Sequence, residues 1–84
     1  MKESAIQRKI TIELEKRGWM VIKLIKTTKN GIPDLMALKE GVTVFVEVKA
    51  DKGVVSELQK YRHEELRSKG FKVFAWTKFE EFEI

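Results

Sequence analysis

Cysteine is absent from this 84-residue chain, and proline and histidine each occur once. Without thiols the protein has no disulfide framework, no thiolate zinc site and no cysteine nucleophile. A single histidine also removes most histidine-based metal sites, so a bound metal must sit on oxygen ligands. The length predicts one domain, residues 1–84, with no room for a deep private cavity. We therefore expect no small-molecule organic cofactor.

Long apolar runs are missing as well. No stretch approaches the roughly 20 residues of a membrane span, and the first residues lack the apolar core of a signal peptide. We therefore expect a cytoplasmic protein, in a prokaryotic cell or a phage-infected host, with no membrane partner. Lys and Arg number 17 against 13 Asp and Glu, a formal net charge of +4. This excess favours a polyanionic partner, and nucleic acid is the first candidate.

Several common motifs do not occur. The chain has no G-x-x-x-x-G-K-[ST] and no G-x-G-x-x-G, which argues against phosphate-loop and dinucleotide binding. It also has no G-x-S-x-G, and its one histidine makes a serine hydrolase unsupported.

The first half of the chain predicts a helix followed by three strands. Ile6, Ile10 and Leu14 recur at helical spacing, so residues 3–17 form an amphipathic helix that ends at Gly18. Residues 19–26 are rich in strand formers. Residues 34–38 and 42–49 are two further strands, and the turn at residues 39–41 joins them in a hairpin.

The second half predicts a helix, a strand and a short final helix. Ser56 and Gln59 match a capping box, and a charged helix with Leu58, Tyr61 and Leu66 runs to Gly70. Residues 71–76 form a strand, and residues 77–80 repeat the capping-box pattern. The expected architecture is α/β, with a central mixed sheet flanked by helices in the order α-β-β-β-α-β-α.

The chemistry lies in the hairpin. In residues 42–49 the period of two places Glu47 and Lys49 on one face of a strand that is apolar enough to be central. A charge buried there costs several kcal/mol unless it is paired or binds a metal. A Glu47–Lys49 ion pair at the wet end of the strand is the alternative.

The hairpin turn returns Asp34 to the side of Glu47. Two carboxylates in reach of one another are stable mainly with a divalent cation or a proton between them. Carboxylates can hold Mg²⁺, which activates water and neutralises phosphate charge, and the Lys49 ammonium can orient or steady the attacking group.

These residues resemble a known family. Gly31-Ile32-Pro33-Asp34, then Glu47-Val48-Lys49, then residues 56–59 on a helix resemble the PD-(D/E)XK nuclease superfamily, and most closely its virus-type replication-repair nuclease (VRR-Nuc) branch. The likeness covers nearly the whole chain and implies a restriction-endonuclease-like fold and Mg²⁺- or Mn²⁺-dependent phosphodiester hydrolysis.

The resemblance also implies residue roles. Asp34 and Glu47 would be metal ligands, Lys49 the catalytic lysine, and the Val48 carbonyl a further ligand. Glu3 corresponds to the first-helix acid of the metal site, although a Glu at a helix start is also explained by the helix dipole. Gln59 would contact the catalytic lysine or the scissile region, and it is equally explained as the capping-box partner of Ser56.

Other polar and aromatic side chains are less informative. The loop before Asp34 carries phosphate-binding types that would line a substrate groove or simply form a solvated turn: Lys26, Thr28, Lys29 and Asn30. His63 has no second His or Cys nearby and is expected on the surface. Tyr61 and the Trp and Phe residues are expected in the core rather than as base-stacking platforms.

Two classes of function remain. The first is a metal-dependent DNA endonuclease, by resemblance a homodimer that resolves branched or four-way-junction DNA; RNA cleavage cannot be separated from it by sequence. The second is a non-catalytic nucleic-acid-binding or dimerisation module, against which the intact Asp34, Glu47 and Lys49 argue. A small core favours dimerisation. The candidate interface side chains are Val54, Val55, Phe79, Phe82 and Ile84.

Overall fold

The computed structural model describes residues 2–50 and 53–76 and contains two helices and one sheet. The helices are α1 (Glu3–Lys16) and α2 (Glu57–Ser68). The strands are β1 (Met20–Lys23), β2 (Leu35–Lys39), β3 (Val42–Val48) and β4 (Lys72–Trp76). The predicted order α-β-β-β-α-β is confirmed, and the short helix expected at residues 77–80 lies outside the described residues.

The sheet is mixed, with the strand order β1-β2-β3-β4. The first three strands are antiparallel neighbours, and β4 runs parallel to β3 after the crossover through α2. The strand β3 is therefore flanked on both sides, as its two apolar faces predict. Because β3 and β4 are parallel, their carboxyl ends lie at the same end of the sheet, which is the end at which β2 begins.

The predicted hairpin is confirmed with a two-residue turn. Lys39 pairs with Val42, and the intervening Glu40 and Gly41 have φ of 49° and 80°. Positive φ at both central residues is typical of a type I′ turn, whose twist matches that of the strands. The predicted strand at residues 19–26 is shorter than expected, because after the hydrogen bond from Leu24 N–H to the Asp34 carbonyl (2.8 Å) the chain leaves the sheet.

The hydrophobic core lies between α1 and one face of the sheet. Ile6, Ile10 and Leu14 are each at most 4 % exposed and pack on alternate residues of the central strands. These are Leu35, Ala37, Val44, Val46 and Val48, with Trp76 at the end of β4. Since side chains alternate along a strand, Glu47 lies on the opposite face, where α2 packs. No helix in the described part of the chain is long and apolar enough to cross a bilayer.

The loop before β2 approaches α2 at Gly31. Gly31 has φ of 81°, and a Cβ there would lie 2.9 Å from the Leu58 carbonyl oxygen. Gly41 has a similar φ of 80°, but within the described structure a Cβ there would meet nothing within 4 Å. A side chain at either glycine would strain the backbone, but only at Gly31 would it also collide with a neighbouring helix.

We expect Gly31→Ala to be the more damaging of the two alanine substitutions. Gly41→Ala should cost about 1 kcal/mol of unfolding free energy from backbone strain alone. Gly31→Ala should cost about 2 kcal/mol or more, because the loop must also move away from α2. Thermal denaturation of both variants measures the difference, and equal melting temperatures would show that the contact with Leu58 is not tight.

Candidate active site

Asp34 is held at the start of β2 by the end of β3. The backbone N–H of Val48 donates a hydrogen bond of 2.8 Å to Oδ2 of Asp34. Pro33, immediately before it, is fully buried. The carboxylate therefore has a fixed orientation at this end of the sheet, beside the carboxyl end of β3.

Glu47 is a buried carboxyl group, with only 2 % of the residue exposed. Burial, the negative charge of Asp34 and the side-chain hydrogen bond with Asp34 raise the pKa of Glu47 to about 8, and the charge of Glu3 adds to this. The structure thus brings Asp34 and Glu47 together, as the hairpin argument predicts. At neutral pH Glu47 is therefore mostly protonated.

Lys49 adds a positive charge to the pair. Its Nζ lies 3.8 Å from Oε2 of Glu47, and its side chain is only 15 % exposed. The charge of Lys49 lowers the pKa of Glu47, but burial and Asp34 outweigh it. The contact is therefore too weak an ion pair to account for the buried carboxyl group, and the predicted wet-end ion pair is not the environment of Glu47.

Gln59 is the capping-box partner of Ser56 and also contacts Glu47, while its predicted contact with the catalytic lysine or the scissile region stays a prediction. Its amide oxygen accepts from the Ser56 N–H (2.9 Å) and its backbone N–H donates to the Ser56 hydroxyl (3.2 Å), so the capping box is complete. The amide nitrogen donates to Oε2 of Glu47 at 3.3 Å. The amide oxygen and nitrogen serve different partners, and the start of α2 is thereby tied to Glu47.

Substitutions at Gln59 and Ser56 should separate these roles. Both Ser56→Ala and Gln59→Ala remove the capping box, and each should cost about 1 kcal/mol of unfolding free energy. Gln59→Ala also removes a donor to Glu47, so we expect it alone to lower nucleic-acid cleavage substantially. Melting curves and cleavage rates of the two variants test this, and matching losses of cleavage would assign Gln59 to capping only.

The expectation that His63 lies on the surface is wrong. His63 is 3 % exposed and its Nε2 lies 3.4 Å from Oε1 of Glu47. Burial, followed by the positive charges of Arg67 and Lys49, lowers its pKa, so the contact joins a neutral imidazole to Glu47. The useful signal was the i, i+4 spacing of Gln59 and His63, which places both on the face of α2 that meets a polar sheet position.

The face of α2 defined by Leu58 and Tyr61 points away from the sheet. Leu58 is 47 % exposed and Tyr61 is 62 % exposed, so the expectation of a core Tyr61 is wrong. Trp76, by contrast, is 4 % exposed and belongs to the core as expected. Because the sheet presents Glu47 to α2, Gln59 and His63 pack there, and Leu58 and Tyr61 turn outward.

The remaining predicted residues surround the carboxyl pair. Glu3 is exposed in the first turn of α1 and acts on Glu47 through its charge. In residues 2–50 and 53–76, no three His, Asp or Glu side chains form a cluster that holds a metal by itself. The ligand roles of Asp34, Glu47, Glu3 and the Val48 carbonyl therefore all stay predictions.

The loop before Asp34 lies against α2. Its four predicted nucleic-acid contacts, Lys26, Thr28, Lys29 and Asn30, are all exposed. The carbonyl of Asn30 accepts a 2.9 Å hydrogen bond from Nε of Arg62, and the Thr27 hydroxyl donates to the Lys29 carbonyl at 2.7 Å. The loop is therefore ordered by contacts of its own backbone, which leaves the side chains of its two lysines at the surface.

Comparison with known proteins agrees with this arrangement. The model of the VRR-NUC domain family matches residues 1–77. A protein of Acyrthosiphon pisum secondary endosymbiont phage 1, described as "Putative nuclease p44", is 31 % identical over 74 residues, which are 87 % of this chain and 80 % of that protein.

Two solved structures share the fold. One, described as a VRR_NUC domain, superposes with a TM-score of 0.84 at 33 % identity and covers 94 % of this chain and 87 % of its own. A second VRR_NUC domain protein has a TM-score of 0.78 at 15 % identity, covering 95 % and 80 %, which supports the fold alone. The family match over nearly the whole chain, together with a buried Glu47 beside Asp34 and Lys49, identifies the chain as a member of the VRR-NUC family.

Proposed function

We propose that the protein is a metal-dependent DNA endonuclease that hydrolyses phosphodiester bonds. The observation that carries this proposal is the buried Glu47, placed beside Asp34 by the register of the hairpin and with the Lys49 ammonium 3.8 Å away. Such a group is costly in a sheet of this size unless it has a chemical use. Membership of a family with a relative named as a nuclease supports the same reaction class.

The donor set fits a hard divalent cation. Asp34 and Glu47 offer carboxylate oxygens at one end of the sheet. The pKa of Glu47 is raised first by burial and then by the negative charge of Asp34, and a cation would neutralise the two carboxylates in place of a proton. Oxygen ligands suit Mg²⁺ or Mn²⁺, with the Val48 carbonyl and Glu3 as further candidate ligands. When bound, the ion supplies an activated water and neutralises charge on the phosphate.

The chain itself positions the reacting groups. The Val48 N–H holds Asp34, and Gln59 and His63 hold the two oxygens of Glu47. The ammonium of Lys49, mostly shielded from solvent, can stabilise the negative charge that develops on the phosphate. Side chains fixed by hydrogen bonds need little reorganisation as that charge forms.

We further propose that the working form is a homodimer that prefers branched DNA, such as a four-way junction. A chain of 84 residues has a small core, and chains of this size often form oligomers, which bury more apolar surface. Of the candidate interface side chains, Val54 is 78 % exposed and Val55 is partly buried, while Phe79, Phe82 and Ile84 lie outside the described residues. A two-fold dimer would present two sites to two strands of a symmetric substrate.

Cleavage of labelled linear, flapped and four-way DNA, each with Mg²⁺, Mn²⁺ or EDTA, tests the activity. We expect metal-dependent products from the wild-type protein, and no products from Asp34→Asn. Binding of all substrates without any cleavage would favour the alternative, a non-catalytic nucleic-acid-binding module. Equal cutting of linear and junction DNA would remove the preference for branches only.

Light scattering at the working concentration tests the dimer. We expect the mass of two chains, and we expect Val54→Asp to yield a monomer if this side chain lies in the interface. A monomer of the wild-type protein, even with junction DNA bound, would refute the dimer and leave the nuclease proposal intact.

A further inference from the structure

A groove of about 280 Å³ lies between α1 and the edge strand β1. The wall formed by α1 includes a polar stripe at helical spacing, and the wall formed by β1 includes Val21 and Lys23. The stripe is Ser4, Gln7, Arg8 and Thr11. Apolar side chains of Ile12, Val21 and Leu35 complete the lining, and the hydroxyl, amide and cationic groups of the groove are of the kinds that bind phosphate oxygens.

Two residues that line the groove, Ser4 and Leu35, are chain neighbours of Glu3 and Asp34. Ser4 follows Glu3 in the chain, and Glu3 is close enough for its charge to raise the pKa of Glu47. Leu35, which also lines the groove, follows Asp34 directly. Lys23 pairs with Leu35 across the sheet and so shares its face. A DNA strand that runs from the carboxyl pair along the α1 side of the sheet would enter this groove.

Within the described part of the chain, the cations of the groove have no carboxylate partner. Arg17, Arg62 and Arg67 each form an ion pair with a glutamate on the same helix. Arg8 is the fourth arginine, and within the described residues neither it nor Lys23 lies within 4 Å of a carboxylate oxygen. Both are exposed. A guanidinium with free donors suits bidentate contact with a phosphate.

We propose that this groove is a backbone subsite in which Arg8 and Lys23 bind phosphates of the DNA strand beside the point of cleavage. The proposal rests on the proposed nuclease function. It adds a DNA contact on the α1 face of the sheet, whereas the loop at residues 26–30 lies against α2. Gln7 and Ser4 add neutral hydrogen bonds to the same backbone. The contacts are to phosphates, so they position the strand and carry no base preference.

The salt dependence of duplex binding tests the subsite. Anisotropy of a fluorescein-labelled 20-base-pair duplex, measured in EDTA at several salt concentrations, gives the slope of log affinity against log salt. Each phosphate contact contributes about 0.9 to that slope, so Arg8→Ala/Lys23→Ala should lower it by about 2. Arg8→Lys/Lys23→Arg keeps both charges and should keep the slope.

A matched control removes the same charge elsewhere. Lys16 ends α1 and Lys72 begins β4, so both lie at the end of the sheet away from Asp34, and both are exposed. Lys16→Ala/Lys72→Ala should leave the slope unchanged. Should Arg8→Ala/Lys23→Ala fail to fold, judged by melting curves, Arg8→Gln/Lys23→Gln replaces it with the same expected loss.

The outcomes separate the two proposals. Equal slopes for the groove and control variants would overturn the subsite, even if the wild-type protein cuts DNA with Mg²⁺ or Mn²⁺. A wild-type protein that binds the duplex but never cuts would refute the nuclease proposal, and a slope loss confined to the groove variant would still support the subsite. A wild-type protein that does not bind the duplex overturns the subsite outright.

Discussion

Replacing Lys49 with alanine is expected to lower the rate of DNA cleavage by a factor on the order of 100 or more. The ammonium lies 3.8 Å from Oε2 of Glu47 in a mostly shielded position, so its loss removes positive charge where the phosphate becomes more negative. Folding and binding of Mn²⁺ should remain largely intact, because the carboxyl pair keeps its hydrogen bonds to Val48 and Gln59.

Two further variants sharpen this expectation. Lys49→Arg should restore little activity, since a planar guanidinium does not fit the space of a compact ammonium. Lys60→Ala is the matched control, because Lys60 is exposed on α2 and pairs only with the exposed Glu57 among described residues. Single-turnover rates on one DNA substrate measure all three. Cleavage by Lys49→Ala at the wild-type rate would reduce Lys49 to an ion-pair partner of Glu47.

The second large effect concerns Glu47 and stability. Its pKa in the folded protein is about 8, raised from 4.5 mainly by burial and then by Asp34. A raised pKa contributes stability that is fully present below the unfolded value and is lost as the pH rises through the folded value. The metal-free wild-type protein should therefore melt at a lower temperature at pH 8.5 than at pH 5.

Glu47→Gln should remove this pH dependence. An amide stays neutral at all pH values and can still donate to Asp34 and accept from Gln59, so the variant should melt about 5 °C or more above the wild type at pH 8.5. It should also lose cleavage. Glu57→Gln, at an exposed position of α2, is the control and should keep the wild-type pH profile. A Glu47→Gln protein that is less stable than the wild type at pH 8.5 would contradict the raised pKa of Glu47.

The architecture could be predicted because local signals agree with one another. Ile6, Ile10 and Leu14 mark the buried face of α1, and the alternation of β3 identifies it as a central strand. The short turn at Glu40 and Gly41 then fixes which residues of the hairpin meet. Proximity of Asp34 and Glu47 follows from that register, which is why the centre of the site was predictable.

The surroundings of the site were harder to predict, because they depend on which face of α2 meets the sheet. Apolar spacing pointed to Leu58 and Tyr61, but the sheet offers a carboxyl group there, so Gln59 and His63 pack inward instead. Hydrophobic periodicity carries no information about a helix that packs on a polar site. The double use of the Gln59 amide, for Ser56 and for Glu47, likewise needs coordinates, since sequence presents capping and a contact at the site as competitors.

The groove beside β1 could not be predicted either. Its residues come from α1, β1 and the first residue of β2, which are brought together by the packing of α1 on the sheet. In the sequence, Arg8 and Lys23 look like ordinary solvated charges. Only the structure shows that they share one groove and have no carboxylate partner in the described part of the chain.

Calorimetric titration of Mn²⁺ into the wild-type protein, Asp34→Asn and Glu47→Gln is the most direct test of the proposed metal site. We expect saturable binding by the wild type and at least a tenfold loss of affinity in each variant, because each removes a negative oxygen ligand from the site. Binding of Mn²⁺ that is equally tight in all three proteins, or no binding to the wild type, would contradict the assignment of Asp34 and Glu47 as the metal ligands.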